Sequence, residues 1–473
     1  MKTGASSSKL PSAACKRMEE ENKKEGFIGQ VVNLMDRFAG DKVIFLIALF
    51  LMLISVISLF SSTPRLAHDL GTDRMSIMLD QIKVVAIGFV IILALYIVGK
   101  PQWYRKISML GFGVSFFLLL IVALNLNLGF VRAGTMNGAR RLLIVAGQKI
   151  HIFEFVKLFM VMYLGWALDT FKRGEFKWVP RLADRFPRLS WLNKDIWQKI
   201  IYIYFPLLST VFLVMMGSNS SALFIGLILI LMVLVGGIDW RDIAWVVLAG
   251  AVGIGLMFGA YKAGWLEGSR IGTAISRILQ DDDATMQQLL SSKKGSKAWQ
   301  EAKDELDQPV GALLAIKEGG ILGKGIGNST QKYQVPVIFS DYMFSFIVEE
   351  TGLWGALILI LLYFSLLARG TLIAKMCDNY YDKMIVAGLI ILVTGQAFMH
   401  MAVNVHLPFV PQTGQTLPLV SHGANSFLVF AMVFGILLSI SRDARENMEK
   451  KEAEADANPI IEHDDNWTQD TTV

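Results

Sequence analysis

The sequence predicts an all-α polytopic membrane protein of about ten transmembrane helices, with both termini cytoplasmic and one large extracytoplasmic loop. Three observations carry that expectation: the composition, the length of the apolar runs and the placement of Lys and Arg. Of 473 residues, 53% are hydrophobic and 18% charged. The mean hydropathy is +0.48, whereas a soluble domain carries roughly 25% charged residues. The apolar content is concentrated in blocks long enough for a hydrocarbon core of about 30 Å, which takes about 20 helical residues. The blocks are continuous rather than alternating, which selects helices over barrel strands.

The expected spans are 43–61, 78–98, 107–124, 152–170, 200–216, 219–236, 243–264, 343–367, 384–406 and 418–440. Only Gly217-Ser218-Asn219 separates the fifth from the sixth. The joined run is too long for one crossing, so a hairpin or a broken helix is expected there.

Lys and Arg set the orientation. The N-terminal segment holds Lys2, Lys9, Lys16, Arg17, Lys23, Lys24, Arg37 and Lys42, and the segment after span four is comparably basic from Lys172 to Lys199. Lys100, Arg105 and Lys106 follow span two, and Arg369, Lys375 and Lys383 follow span eight. The alternate loops are poorer, so both termini are placed in the cytoplasm. The loop at 125–151 departs from the trend, because it carries Arg132, Arg140, Arg141 and Lys149 on the outward side.

The chain thus divides into a cytoplasmic tail at 1–42, a transmembrane domain at 43–441 with a large outer loop at 265–340, and a cytoplasmic tail at 442–473. The tails are polar and read as disordered, or as docking segments for partners. Cys15 and Cys377 are the two cysteines. Both fall on the cytoplasmic side, where no structural disulfide is expected. The net charge of +5 belongs to membrane-flanking loops; it does not indicate a nucleic-acid partner.

Polar residues at membrane depth are the candidates for function. Glu154 and Lys157 stand three apart in span four and can pair on one helix face. They form either a self-neutralising pair that holds the bundle or a charged floor beneath an anionic substrate. Arg140 and Arg141 lie outward, near the membrane. Their forked donors suit a phosphate or pyrophosphate group, and interfacial snorkelling is the competing reading. The segment from Gly319 to Gly327 holds five glycines, with Lys324 and Lys332 beside it. It lacks the strand–turn–helix context and the Lys-Ser of a nucleotide-binding loop. Asp341 stands where span eight begins, with Glu349 and Glu350 about two turns deeper. It can serve as a general base or cap the helix. No metal-ligand spacing links His151, His400, His406 and His422.

Three stretches, in order, resemble the SEDS family (shape, elongation, division and sporulation) over about residues 40–442. They are "NGARR" with "EFVKL", "GGILGKGIGNSTQKYQVP" with "SDYMFSFIVEETGLWG", and "NVHLPFVPQTGQTLPLVSHGANS". The resemblance implies a peptidoglycan glycosyltransferase that joins lipid II disaccharides at the outer face of the cytoplasmic membrane. It implies Asp341 as catalytic base, and Arg140, Arg141, Glu154, Lys157, Lys324, Lys332, Asn404 and Ser421 as substrate-binding residues. It implies a class B penicillin-binding protein (a transpeptidase) and other divisome membrane proteins as partners. No cofactor is required by the sequence, although a divalent cation, Mg or Mn, could share the pyrophosphate charge. The N-terminal extension and the "FAGDKVIF" entry to span one resemble the division branch more than the elongation branch. An elongation polymerase, a lipid II flippase and a scaffold are the alternatives.

The chain also departs from the family pattern. Gln-Pro-Ser-Glu becomes His151-Ile152-Phe153-Glu154, and Pro-Asp-Leu-Gly-Thr becomes Gly217-Ser218-Asn219-Ser220-Ser221. Leu-Pro-Glu becomes Val335-Pro336-Val337, and Gly-Gly-Ser-Ser becomes Gly423-Ala424-Asn425-Ser426.

Overall fold

The computed structural model describes residues 38–457, apart from 130, 137–138, 146, 264–290, 292–295, 408–409 and 411–412. Cys15, most of the N-terminal tail, the acidic part of the large loop, Pro408, Pro411 and residues 458–473 lie outside the described residues.

Four helices come first: α1 Lys42–Ser62, α2 Pro64–Leu70, α3 Arg74–Val98 and α4 Pro101–Leu124. Three strands follow, β1 Val131–Met136, β2 Ala139–Val145 and β3 Gln148–His151, and then α5 Ile152–Arg173 and α6 Trp178–Arg185. Next are α7 Asp195–Met215, α8 Asn219–Val235, α9 Trp240–Lys262 and α10 Lys297–Gly319. The chain closes with α11 Met343–Met376, α12 Tyr380–Asn404 and α13 Ala424–Ala457. Each expected span overlaps a helix, although α13 begins at Ala424 rather than at 418. Among the described residues, 7 helices are long and apolar enough to cross a membrane by length and composition.

Local chemistry explains the element boundaries. Asp41 caps α1: its Oδ1 accepts from the backbone N–H of Val43 and Ile44, both at 3.0 Å. The other carboxylate oxygen accepts from Arg369 Nε at 2.9 Å and from its terminal nitrogen at 2.6 Å. One side chain therefore starts α1 and ties it to α11. In α7 a π-helical turn at Ile200–Tyr204 precedes Pro206. Proline has no N–H to offer the carbonyl of Tyr202. Tyr163 Oη donates to that carbonyl instead, at 3.0 Å. The expected break at Gly217 is present: α7 and α8 are separate helices, and Ser218 Oγ accepts from Ser221 N–H at 3.3 Å to cap the second.

At the opposite end of the bundle from the strands, buried Asp169 forms an ion pair with Arg105 at 2.6 Å and accepts from Arg173 at 3.0 Å. This fastens α4 to α5. Arg442 donates to the carbonyls of Tyr96, Ile97 and Gly99 at the end of α3. A cation there satisfies orphan carbonyls and opposes the helix dipole.

Two expectations are corrected. Loop 125–151 is an antiparallel sheet in the order β1-β2-β3, seated over α4 and α5. Its strands are short and interrupted by glycine, so no sustained alternation marks them along the chain. The tail expected to be disordered from residue 442 instead continues α13 to Ala457. Ion pairs support that extension, Arg445–Glu449 at 3.0 Å along the helix and Lys451–Asp378 at 2.6 Å across to the α11–α12 turn.

Candidate active site

Asp341 lies in a run of turns immediately before α11. The N-cap position of that helix falls on Tyr342 and carries no side-chain cap. Helix α12 meets the buried first-turn N–H groups instead. His400 Nε2 accepts from Phe344 N–H at 3.2 Å, and Asn404 Oδ1 accepts from Ser345 N–H at 2.9 Å. Because Nε2 accepts, His400 carries its proton on Nδ1, which donates to the carbonyl of Gln415 at 2.7 Å. The capping demand at the head of α11 is thus met across a helix interface.

The same residues fix the backbone at the carboxylate. Asn404 Nδ2 donates to the carbonyl of Asp341 at 3.0 Å, and Ser421 Oγ donates to that of Ser340 at 2.7 Å. Ser340 Oγ donates to Asp341 Oδ1 at 2.7 Å. A Cβ at Gly414 would meet Asp341 Oδ2 at 2.8 Å, so the loop above the carboxylate comes close only because that residue is glycine. Asn404 and Ser421 were expected to bind substrate. Both are buried, and their bonds run to the Asp341 segment and its neighbours. They hold the backbone carbonyls of Asp341 and Ser340.

Lys157 occupies a second polar centre. Its ammonium donates to Glu154 at 2.8 Å, Gln396 at 2.7 Å and Gln415 at 3.2 Å. An ammonium has three donors, so all three are used, and the residue is 3% exposed. Gln415 Nε2 continues to Ser221 Oγ at 3.1 Å, and Gln396 Nε2 to the Thr416 carbonyl at 2.9 Å. Lys157 thus sits at an internal junction of α5, α8, α12 and the 413–423 loop. Glu154 is the more exposed partner, at 16%. The altered "GSNSS" segment enters this junction through Ser221, and Ser218 takes the capping role.

The glycine-rich segment is packed backbone to backbone against α11. A Cβ on Gly319, Gly323 or Gly352 would collide with the backbone of Val348, Glu350 or Ile321, respectively. Gly352 also breaks α11, with φ +72°. Buried Glu349 accepts from Lys324 Nζ at 2.7 Å, Ser329 Oγ at 2.5 Å and Thr330 N–H at 2.7 Å. Glu350 accepts from Ser61 Oγ at 2.5 Å and Gly327 N–H at 3.0 Å, with Lys332 Nζ 4.0 Å away. Lys324 also bonds Glu318, whose carboxyl is held below the usual range by Lys324 and Thr330. Lys324 and Lys332, expected at the substrate, are engaged with the carboxylates of Glu349 and Glu350.

Arg140 and Arg141 stand side by side in β2. Arg140 pairs with Thr135, and Leu142 pairs with Gly134, so Arg141 is the extra residue of a β-bulge. The sequence signals neither the bulge nor the roles of Gln396 and Gln415, whose bonds join distant segments. Among the described residues no group of three or more His, Cys, Asp or Glu could hold a metal ion.

This is a helical membrane protein whose polar side chains converge between α5, α11, α12 and the loop before α13. The model of the FtsW/RodA/SpoVE family, described as "cell cycle protein", matches residues 41–446. The chain belongs to that family, the one its motifs resemble. Stage V sporulation protein E of Bacillus subtilis is 27% identical over 414 residues, covering 86% of this chain and 98% of that protein. The probable peptidoglycan glycosyltransferase FtsW of Geobacter sulfurreducens is 24% identical over 417 residues, covering 88% and 98%. The fold is shared with the rod shape determining protein RodA of Thermus thermophilus, at TM-score 0.53, 19% identity, and 86% and 99% coverage. It is also shared with a chain of a peptidoglycan synthase complex studied for the coordination of polymerization and crosslinking, at TM-score 0.58, 20% identity, and 86% and 98% coverage.

Proposed function

We propose that the chain is a peptidoglycan glycosyltransferase that polymerises lipid II during cell division. Family membership supports the class of reaction. The observation that carries the assignment of chemistry is the carboxylate of Asp341, held at the head of α11 while α12 supplies the caps. Asp341 takes the proton from the acceptor's GlcNAc 4-hydroxyl. That oxygen bonds to the anomeric carbon of the donor MurNAc with inversion. The bond from that carbon to the pyrophosphate oxygen breaks, and undecaprenyl pyrophosphate departs with the negative charge. Arg140 and Arg141 stabilise that charge, because guanidinium donors aimed at developing charge lower the barrier.

In this reading the chain crosses the cytoplasmic membrane about ten times, with both termini inside and Asp341 outside. It acts at the septum with a class B penicillin-binding protein and other divisome membrane proteins. An elongation role is the second reading, supported by the likeness to the RodA fold. The deciding experiment is polymerisation of labelled lipid II by the reconstituted wild-type chain and by Asp341→Asn, with and without a transpeptidase partner. Equal glycan from both forms would remove Asp341 from the chemistry. Lipid translocation without glycan would favour a flippase.

A further inference from the structure

We propose that the glycine-rich loop Gly319–Gly327 is a membrane-inserted rim, with Ile321, Leu322 and Ile326 in the acyl region of the bilayer. These three side chains are 65%, 81% and 66% exposed. Large aliphatic groups so open to water, on a loop fixed on its other face, call for a cover.

The occupant follows from continuity with the lipid-facing side of α11. Beyond the break at Gly352, exposed apolar residues run along that helix from Leu353 and Trp354 through Leu361 and Phe364 to Leu372. At 1.5 Å per residue, Leu353 to Leu372 spans roughly 30 Å, the thickness of a hydrocarbon core. The loop is bonded to the start of that band: Leu353 N–H donates to the carbonyl of Gly320 at 3.0 Å. Ile321 and Leu322 therefore lie at the depth of Leu353 and Trp354. A tryptophan at that level suits the membrane–water boundary.

The loop is also chemically fit to enter an apolar layer. Irregular backbone there must have its polar groups satisfied by protein. Gly323 N–H donates to the Gly319 carbonyl at 2.8 Å, and Lys324 and Gly325 N–H donate to the carbonyls of Glu349 and Glu350, both at 2.9 Å. Gly327 N–H reaches Glu350 Oε1 at 3.0 Å. Lys324, the one charged residue between Gly319 and Gly327, is turned inward onto Glu349. The large side chains most exposed between Gly319 and Gly327 are the aliphatic ones of Ile321, Leu322 and Ile326.

The test uses the full chain with Cys15 and Cys377 replaced by Ser. Leu322→Cys and Ile326→Cys are made singly, labelled with an environment-sensitive fluorophore, and reconstituted in phosphatidylcholine–phosphatidylglycerol vesicles free of polyprenyl lipid. Arg445→Cys, at the exposed end of α13, is the aqueous reference. Lipid spin-labelled near the top of the acyl chain is expected to quench either loop label several-fold more than it quenches the reference, with iodide showing the reverse order. Iodide quenching at both loop positions equal to the reference overturns the proposal. So does a shift to apolar emission only after a polyprenyl pyrophosphate is added, which would assign the patch to a substrate tail. Two positions keep the test decisive if one variant folds poorly, and none of these readouts depends on glycan synthesis.

Discussion

Asn404 holds both sides of the junction between Asp341 and α11. Its amide nitrogen donates to the Asp341 carbonyl at 3.0 Å, and its amide oxygen accepts from Ser345 N–H at 2.9 Å. The residue before the helix and the first turn of the helix are thus clamped by one side chain from α12. Asn404→Ala leaves a donor and an acceptor without their partner, at a cost of about 1–3 kcal/mol each when buried. We expect a lower melting temperature and, in the folded fraction, a reduced kcat with KM for lipid II little changed. An unchanged kcat per folded molecule would make Asn404 purely structural.

Asp341→Asn separates acid–base chemistry from local structure. The caps of α11 come from His400 and Asn404, so stability should hold within about 1 kcal/mol. Loss of a general base costs on the order of a hundredfold to ten-thousandfold in rate. Glycan synthesis by the purified variant, normalised to folded protein, is the measurement.

Arg141 is the extra residue of a bulge and Arg140 is its neighbour in β2; a bulge re-aims side chains locally. Changing both to Gln is expected to weaken lipid II binding and polymerisation while expression and melting stay near wild type. Binding of labelled lipid II at the wild-type level by the double variant would refute the pyrophosphate role.

Gly319→Ala sets a methyl group against the backbone of Val348 and Glu349. Neither chain can give way without opening the Glu349 bonds. Overpacking of this kind typically costs about 1–3 kcal/mol. Melting of Gly319→Ala beside an Ala substitution at Gly113, where the space is open, should show a clear loss only at Gly319.

Cys377 is buried, and burial pushes its thiol up to about 12. The reactive thiolate is therefore scarce at neutral pH. A membrane-permeant maleimide should leave Cys377 unmodified in the native protein and modify it after denaturation in detergent. Cys15 is expected to react with permeant reagent only, since the N-terminal tail is placed inside. Labelling of Cys15 by an impermeant reagent on intact spheroplasts would reverse the orientation.

The sequence alone determined the helices, because their apolar runs match the thickness of a bilayer and a lipid-embedded backbone has few alternatives. It also determined the break at Gly217 and the family, whose motifs are local strings. Asp341, Glu154 and Lys157 were legible as costly polar residues in apolar surroundings. What each polar residue does was decided only in three dimensions. A cap and a base look alike in sequence. Here the cap of α11 comes from His400 and Asn404, about sixty residues downstream. Lys324 and Lys332 read as free cations until Glu349 and Glu350 are seen to engage them. Lys157 reads as a floor until Gln396 and Gln415 complete its donors. Hydrogen bonds between distant segments leave no periodicity along the chain, so only the packing of α5, α11 and α12 could assign them.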